Sequence, residues 1–148
     1  MRLVLSKRLF VLIAVLPLTC VGCNEVQKKQ FQNLDAAQQE HMIEKGWIPA
    51  STPQDAKDIN VESDLDAASV YGSYVSGNTD VLNKHCSSVE DSFQMPLNSP
   101  KWFQNDLGEA DTAGKLKSKG YKVLNCDGGF NLAIFSPERR VDYWSVRK

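Results

Sequence analysis

Only two histidines and four cysteines occur in the 148 residues, and 17 Lys plus Arg nearly balance 18 Asp plus Glu. Without a positive surplus there is no general basic field of the kind that nucleic-acid binding uses. The histidines, His41 and His85, stand in no local pattern with a nucleophile and a carboxylate. No G-x-S-x-G elbow is present, and Gly72-Ser73 lies inside a strand-like run rather than at a strand-to-helix turn. With nine glycines, six prolines and no internal repeat or low-complexity tract, the composition excludes collagen-like, coiled-coil and bulk-disordered classes. The length fits one domain. The longest strongly apolar run, Leu9 to Thr19, is also short. It falls well below the roughly 20 residues a helix needs to cross a bilayer.

What is present at the N-terminus is an address. Arg2, Lys7 and Arg8 precede the apolar run, Pro17 interrupts its end, and small residues follow, which together describe a secretory signal over residues 1–22. Thr19-Cys20-Val21-Gly22-Cys23 resembles the lipobox of bacterial lipoproteins, with Cys23 as the acylated residue and Cys20 standing where that family usually has Leu. The alternatives are acylation at Cys20, ordinary cleavage that leaves a free thiol, and a buried N-terminal helix. Two or three acyl chains on one cysteine suffice for stable anchoring. The resemblance implies a palmitate-type anchor facing the periplasm. Asn24, rather than Asp, after the lipidated cysteine implies the outer membrane over the inner one.

Processing changes the composition of what remains. Residues 1–22 hold three basic and no acidic residues, so the following 126 residues carry 14 Lys plus Arg against 18 Asp plus Glu, a net charge of −4. Cys86 and Cys126 are the two cysteines left, and an oxidising compartment favours their pairing as a disulfide. Two buried thiols are the alternative. A metal site would have to recruit the adjacent His85 and Asp127, and adjacent residues rarely converge on one ion. No metal and no other cofactor is expected.

Along the mature chain, residues 23–30 read as a membrane tether and 31–148 as one extracytoplasmic domain. Phe31, Leu34, Ala37 and His41 or Met42 recur at helical spacing and predict a helix ending at Gly46. Its Gln-rich surface could pack on the domain or meet a partner. Trp47-Ile48-Pro49 and Ser51-Thr52-Pro53 form a connector. Asp58–Asp64 and Ala68–Val75 predict a hairpin, Asn78–Asp91 a helix capped by Asn78 or Thr79, Gln94–Asn105 a loop, and Ala110–Lys119 a helix. Tyr121–Cys126, Phe130–Phe135 and Val141–Val146, separated by turn residues, predict a three-stranded meander. The sum is an α+β domain: a single antiparallel sheet of about five strands with two or three helices.

Gly46-Trp47-Ile48-Pro49, Ala56–Ile59, Asp64-Leu65-Asp66, Val70-Tyr71-Gly72-Ser73-Tyr74 and the ending Val141-Asp142-Tyr143-Trp144 resemble a pattern in small uncharacterised bacterial lipoproteins and secreted proteins. The likeness implies an extracytoplasmic α+β domain and brings no activity with it.

Two features carry candidate chemistry. Asp58, Asn60, Glu62, Asp64 and Asp66 alternate, so a continuous strand would show them on one face; that face could hold Ca²⁺, meet a basic partner, or be solvated. The EF-hand positions that need Gly and Glu hold Ser63 and Ser69. Trp47, Tyr74, Trp102 and Trp144, with Asp64 and Asp66, form a possible partner surface, against the alternative that the aromatics are core. Tyr143 and Trp144 must face opposite sides of their strand. The expected function is a non-enzymatic binding or structural role in the cell envelope, with a protein or cell-wall partner. The alternatives are an inhibitor or immunity-type lipoprotein that neutralises a toxic enzyme, and a small hydrolase.

Overall fold

The computed structural model describes residues 25–96, 99–107 and 110–146. The signal segment, the tether's first residues and Cys23 lie outside the described residues. Strand β1 (Val26–Asn33) leads into the short helix α1 (Leu34–Gln39), followed by β2 (Lys57–Asp64) and β3 (Ser69–Val75). A 3₁₀ turn over Thr79–Lys84 precedes β4 (Cys86–Ser88), then come helices α2 (Lys101–Asp106) and α3 (Ala113–Ser118). The chain closes with β5 (Tyr121–Cys126), β6 (Phe130–Phe135) and β7 (Arg140–Val146). All neighbours are antiparallel in one seven-stranded sheet of order β1-β2-β3-β7-β6-β5-β4. The expected hairpin and meander are therefore both present, and pairing of β3 with β7 from Ser69↔Val146 to Val75↔Arg140 joins them.

The sheet is longer than the five strands expected, because β1 and β4 add an edge at each end. In β1, Val26 and Phe31 fall on opposite faces and Lys28, Lys29 and Gln30 lie between them, so no alternation announces a strand. Lysines are a common guard on a sheet edge. Residues 26–30, expected in the tether, are thus in the sheet, and the domain begins by Val26 instead of Phe31. The helix expected up to Gly46 is reduced to six residues. Its start is fixed by Asn33, whose Oδ1 accepts the Ala36 amide at 2.9 Å. Past Gln39 the chain runs in turns, with His41 at φ 59°, yet Leu34, Ala37 and Met42 are still buried.

Two further expectations change. Asn78–Asp91 is a 3₁₀ turn plus a strand, with no side-chain cap, because the bond from Cys86 holds this segment on the sheet edge. The loop over Gln94–Asn105 contains α2, which starts directly after Pro100; proline is tolerated at the first turn of a helix, where its missing N–H has no helical partner anyway.

Both faces of the central strands are covered, so β7 is buried from Val141 to Ser145. Tyr143 faces one core with Ile59, Val61, Tyr74, Leu132 and the α1 side. Trp144 faces the other, with Tyr71, Val123 and Ala133 under Phe103 of α2 and Leu116 of α3. The opposite-face expectation for this pair holds. Tyr143 lies directly over Gly72 and donates its hydroxyl to the Trp47 carbonyl at 3.2 Å. Gly46–Pro49, Val70–Tyr74 and Val141–Trp144 therefore meet in one packing unit.

Asp55 pins the exit of β3. Its carboxylate accepts the Ser76 hydroxyl at 2.6 Å and the Gly77 amide at 2.8 Å. The Ser76 bond, and then the Gly77 amide, hold its pKa below the ordinary value of 3.8. A lowered folded-state pKa contributes stability above the unfolded value and loses it as pH falls through the folded one. We expect Asp55→Asn to destabilise at pH 7, with the gap to wild type narrowing as pH drops below about 4. Urea midpoints at neutral and acid pH measure that gap, and a gap independent of pH would count against the assignment.

Candidate functional site

The second face is covered only over part of its width. Helix α2 begins only at Lys101, and beyond Trp102 in its first turn the β1–β2 side of this face is not covered by a helix. Two cross-strand rows run through this region. One is Lys28↔Glu62↔Tyr71↔Trp144 and the other Gln30↔Asn60↔Ser73↔Asp142. Each row passes from polar and solvent-facing at β1 to buried at β7. Where they emerge from under α2 they floor a cleft of about 310 Å³, with Trp102 as its wall.

Glu62 is the fixed point of this cleft. Its side chain is only 12% exposed, and its Oε2 accepts both the Trp102 indole N–H at 2.7 Å and the Lys28 ammonium at 3.0 Å. Oε1 has no hydrogen-bond partner among the described residues. Trp102 is held in turn by an edge contact to Phe103, centroids 5.6 Å apart, and Phe103 packs on Tyr71 at 5.2 Å and Trp144 at 5.9 Å. The wall thus rests on core aromatics. Asn60 donates Nδ2 to the Asp58 carbonyl at 3.2 Å, which leaves its Oδ1 without a described partner. Ser73 is buried on the cleft floor.

Of the partner surface expected from sequence, Trp47, Tyr74 and Trp144 are core, each no more than 9% exposed. They cannot offer a docking face: Tyr74 and Trp144 lie on strands covered on both sides, and Trp47 is buried in the loop that packs on Tyr143. Trp102 is half-buried and belongs to the cleft. Asp64 accepts the Ala67 amide at 2.9 Å, which closes the β2–β3 turn, and Asp66 is exposed beside it. Burial raises the hydroxyl pKa of Tyr74 and Tyr143, so both stay neutral and neither is an acid–base group at ordinary pH.

The alternating acidic row is broken at its start. Asp58 sits at a register shift with φ 52°, and only Asn60, Glu62 and Asp64 share the face. Lys28 and Trp102 already engage Glu62, so these oxygens do not converge. Cys86 and Cys126 are directly opposite in β4 and β5 and form a disulfide, Cα atoms 3.9 Å apart. His85 Nδ1 and an Asp127 oxygen lie 3.6 Å apart at the surface beside it. His85 follows the 3₁₀ turn and His41 lies in a turn, so neither is on the helix expected for it, and both are exposed. No group of three or more His, Cys, Asp or Glu side chains is placed to hold a metal among the described residues.

A family likeness falls on the same part of the chain. Residues 25–75 match the YbbD head domain family model. That stretch covers β1, α1, β2 and β3, about a third of the chain, and includes Gly46–Pro49 and Val70–Tyr74. No curated protein and no solved structure matches the chain. The floor of the cleft therefore lies within the matched stretch, and its Trp102 wall lies outside it.

Sequence reasoning had Glu62 and Asn60 on a polar face and Trp102 among the aromatics, but did not join them, since 40 residues separate Glu62 from Trp102. Nothing in the sequence joined Lys28, Gln30 or Ser73 to that face. The usable signal was the even-numbered polar set of β2, Asn60, Glu62 and Asp64, continued by Lys28 and Gln30 of β1.

Proposed function

We propose that this is a lipid-anchored protein of the bacterial cell envelope with a non-catalytic binding role, exercised at the Trp102 cleft. The observation that carries the extracytoplasmic part is the Cys86–Cys126 disulfide, since such bonds persist in oxidising compartments. The charged start, short apolar run and Cys23 support the anchor. Strand β1 begins at Val26, three residues past Cys23, which an extended chain spans in roughly 10 Å. An acylated Cys23 would keep this end of the sheet at the bilayer surface. The β2–β3 turn is at the same end, where the Leu65 amide donates to the Glu25 carbonyl at 3.4 Å and the Leu65 side chain is 46% exposed. The cleft supports binding over bond cleavage: among the described residues that line it, the one carboxylate, Glu62, is already committed to two donors.

Replacing Cys23 by Ser tests the anchor. We expect the protein to move from the membrane fraction to the soluble one and to lose the mass of its acyl chains. Unchanged membrane association would refute lipidation at this residue.

A further inference from the structure

We infer that the cleft over β1, β2 and β3 binds a neutral, acetamido-bearing sugar of a glycan strand. The inference deepens the binding role proposed above and rests on it. Three observations point to this ligand chemistry.

First, the cleft has no charge to spare. Lys28 lies against Glu62 at 3.0 Å, and the neighbouring Lys29 ammonium is bonded to Glu40. An anionic or cationic ligand would have to displace one of these pairs. Second, the polar groups left for a ligand are uncharged or acceptors: the Gln30 carboxamide, Asn60 Oδ1, the Ser73 hydroxyl and Glu62 Oε1. Gln30, Asn60 and Ser73 occupy one cross-strand row at the sheet spacing of about 4.8 Å. Carboxamides both donate and accept, which suits sugar hydroxyls, while an acetamido N–H suits Asn60 Oδ1 or Glu62 Oε1. Third, Trp102 stands at the border of this row with its N–H committed to Glu62, so its ring flank is the part left to meet the apolar C–H face of a pyranose.

Size agrees. At about 310 Å³ the cleft is at the small end of ligand sites, enough for one or two sugar rings. A peptide fits less well. Strand addition would use the free edge of β1, whereas this cleft lies on the sheet face, and Trp102 is the one large apolar side chain among its described lining residues.

The test uses the full-length protein in detergent micelles, titrated with tri-N-acetylchitotriose and followed by calorimetry and tryptophan fluorescence. We expect saturable binding accompanied by a fluorescence change. Asn60→Ala should weaken affinity about 3- to 10-fold, the worth of one hydrogen bond, with its melting temperature kept. Trp102→Phe should weaken it as well and abolish the fluorescence response, because Trp47 and Trp144 are buried. A glucose trimer without acetamido groups should bind at least about tenfold more weakly. Binding weaker than about 10 mM, equal affinity for the glucose trimer, or affinity unaffected by both substitutions would each overturn the inference. So would displacement of the sugar by an equal concentration of a neutral tetrapeptide. The outcomes separate from those of the anchor: Cys23→Ser protein that leaves the membrane yet ignores the trisaccharide removes only the ligand, and the reverse removes only the anchor.

Discussion

Gly72→Ala is expected to lower stability by about 3 kcal/mol, the upper end of what overpacking usually costs. A Cβ at this position would lie 2.2 Å from Cζ and 2.3 Å from the hydroxyl of Tyr143. The ring has nowhere to go. It is fully buried, tilted against Tyr74 at 6.0 Å and edge-on to Phe130 at 5.9 Å, and its hydroxyl is bonded to the Trp47 carbonyl. Moving it would strand that carbonyl and open a gap between β3 and the loop of Gly46–Pro49. In a domain of this size the loss corresponds to a melting temperature lower by on the order of 10 °C. A Tyr143→Leu background should relieve the clash, so that adding Gly72→Ala there costs at least about 1 kcal/mol less than in wild type. Thermal melts of the two single variants and the double variant measure this. An unchanged melting temperature in Gly72→Ala would show that the close approach is not what fixes glycine at this position.

Removing the Cys86–Cys126 disulfide should have an effect at least as large. The bond closes a loop with a sequence separation of 40, for which loss of chain entropy in the unfolded state predicts about 4 kcal/mol. The structural consequence is specific. Strand β4 is three residues long and lies at the sheet edge, where it pairs only with β5. Without the covalent link its few hydrogen bonds are set against the ordering of the 3₁₀ turn before it and the long segment up to α2. We expect the Cys86→Ser, Cys126→Ser double variant, or the reduced wild type, to melt on the order of 10 °C lower. In it the amides of residues 86–88 should exchange much faster, while those of the β3–β7 pair stay protected. Identical melting of the oxidised and reduced forms would be incompatible with this account. Uniform exchange throughout the sheet would show that β4 is integral to the fold rather than clipped onto it.

The strands that were legible share a cause. In β2, Ile59 and Val61 alternate with polar residues because one side faces the core and the other the open cleft. In the β5–β6 connection, Asp127-Gly128-Gly129 marks the turn, with φ of 79° and 78° at the two glycines. The elements that were missed each lack a local driving signal. Strand β1 is a polar edge whose order comes from pairing with β2, and β4 is held by a bond to a residue 40 positions away. Helix α2 begins at a proline and is stabilised by Phe103 and Leu107 entering a core assembled from β3, β5, β6 and β7. The Phe31–Gly46 periodicity was real, since Leu34, Ala37 and Met42 are buried, but a six-residue helix and a turn satisfy it as well as a long helix does.

The local sequence alone determined the hairpin, the meander, the opposite facing of Tyr143 and Trp144, and the presence of one cysteine pair in an otherwise cysteine-poor domain. Period-two alternation states which residues share a face, and turn residues state where a strand must end; both are properties of neighbouring residues. What covers each face was decided only by the tertiary structure. Trp47, Tyr74 and Trp144 became core because chain from elsewhere folded over them. Glu62, Asn60, Gln30 and Ser73 became a cleft because α2 begins only at Lys101, so that its Trp102 borders them without covering them. Coverage depends on contacts between distant segments, and no pattern of adjacent residues encodes it.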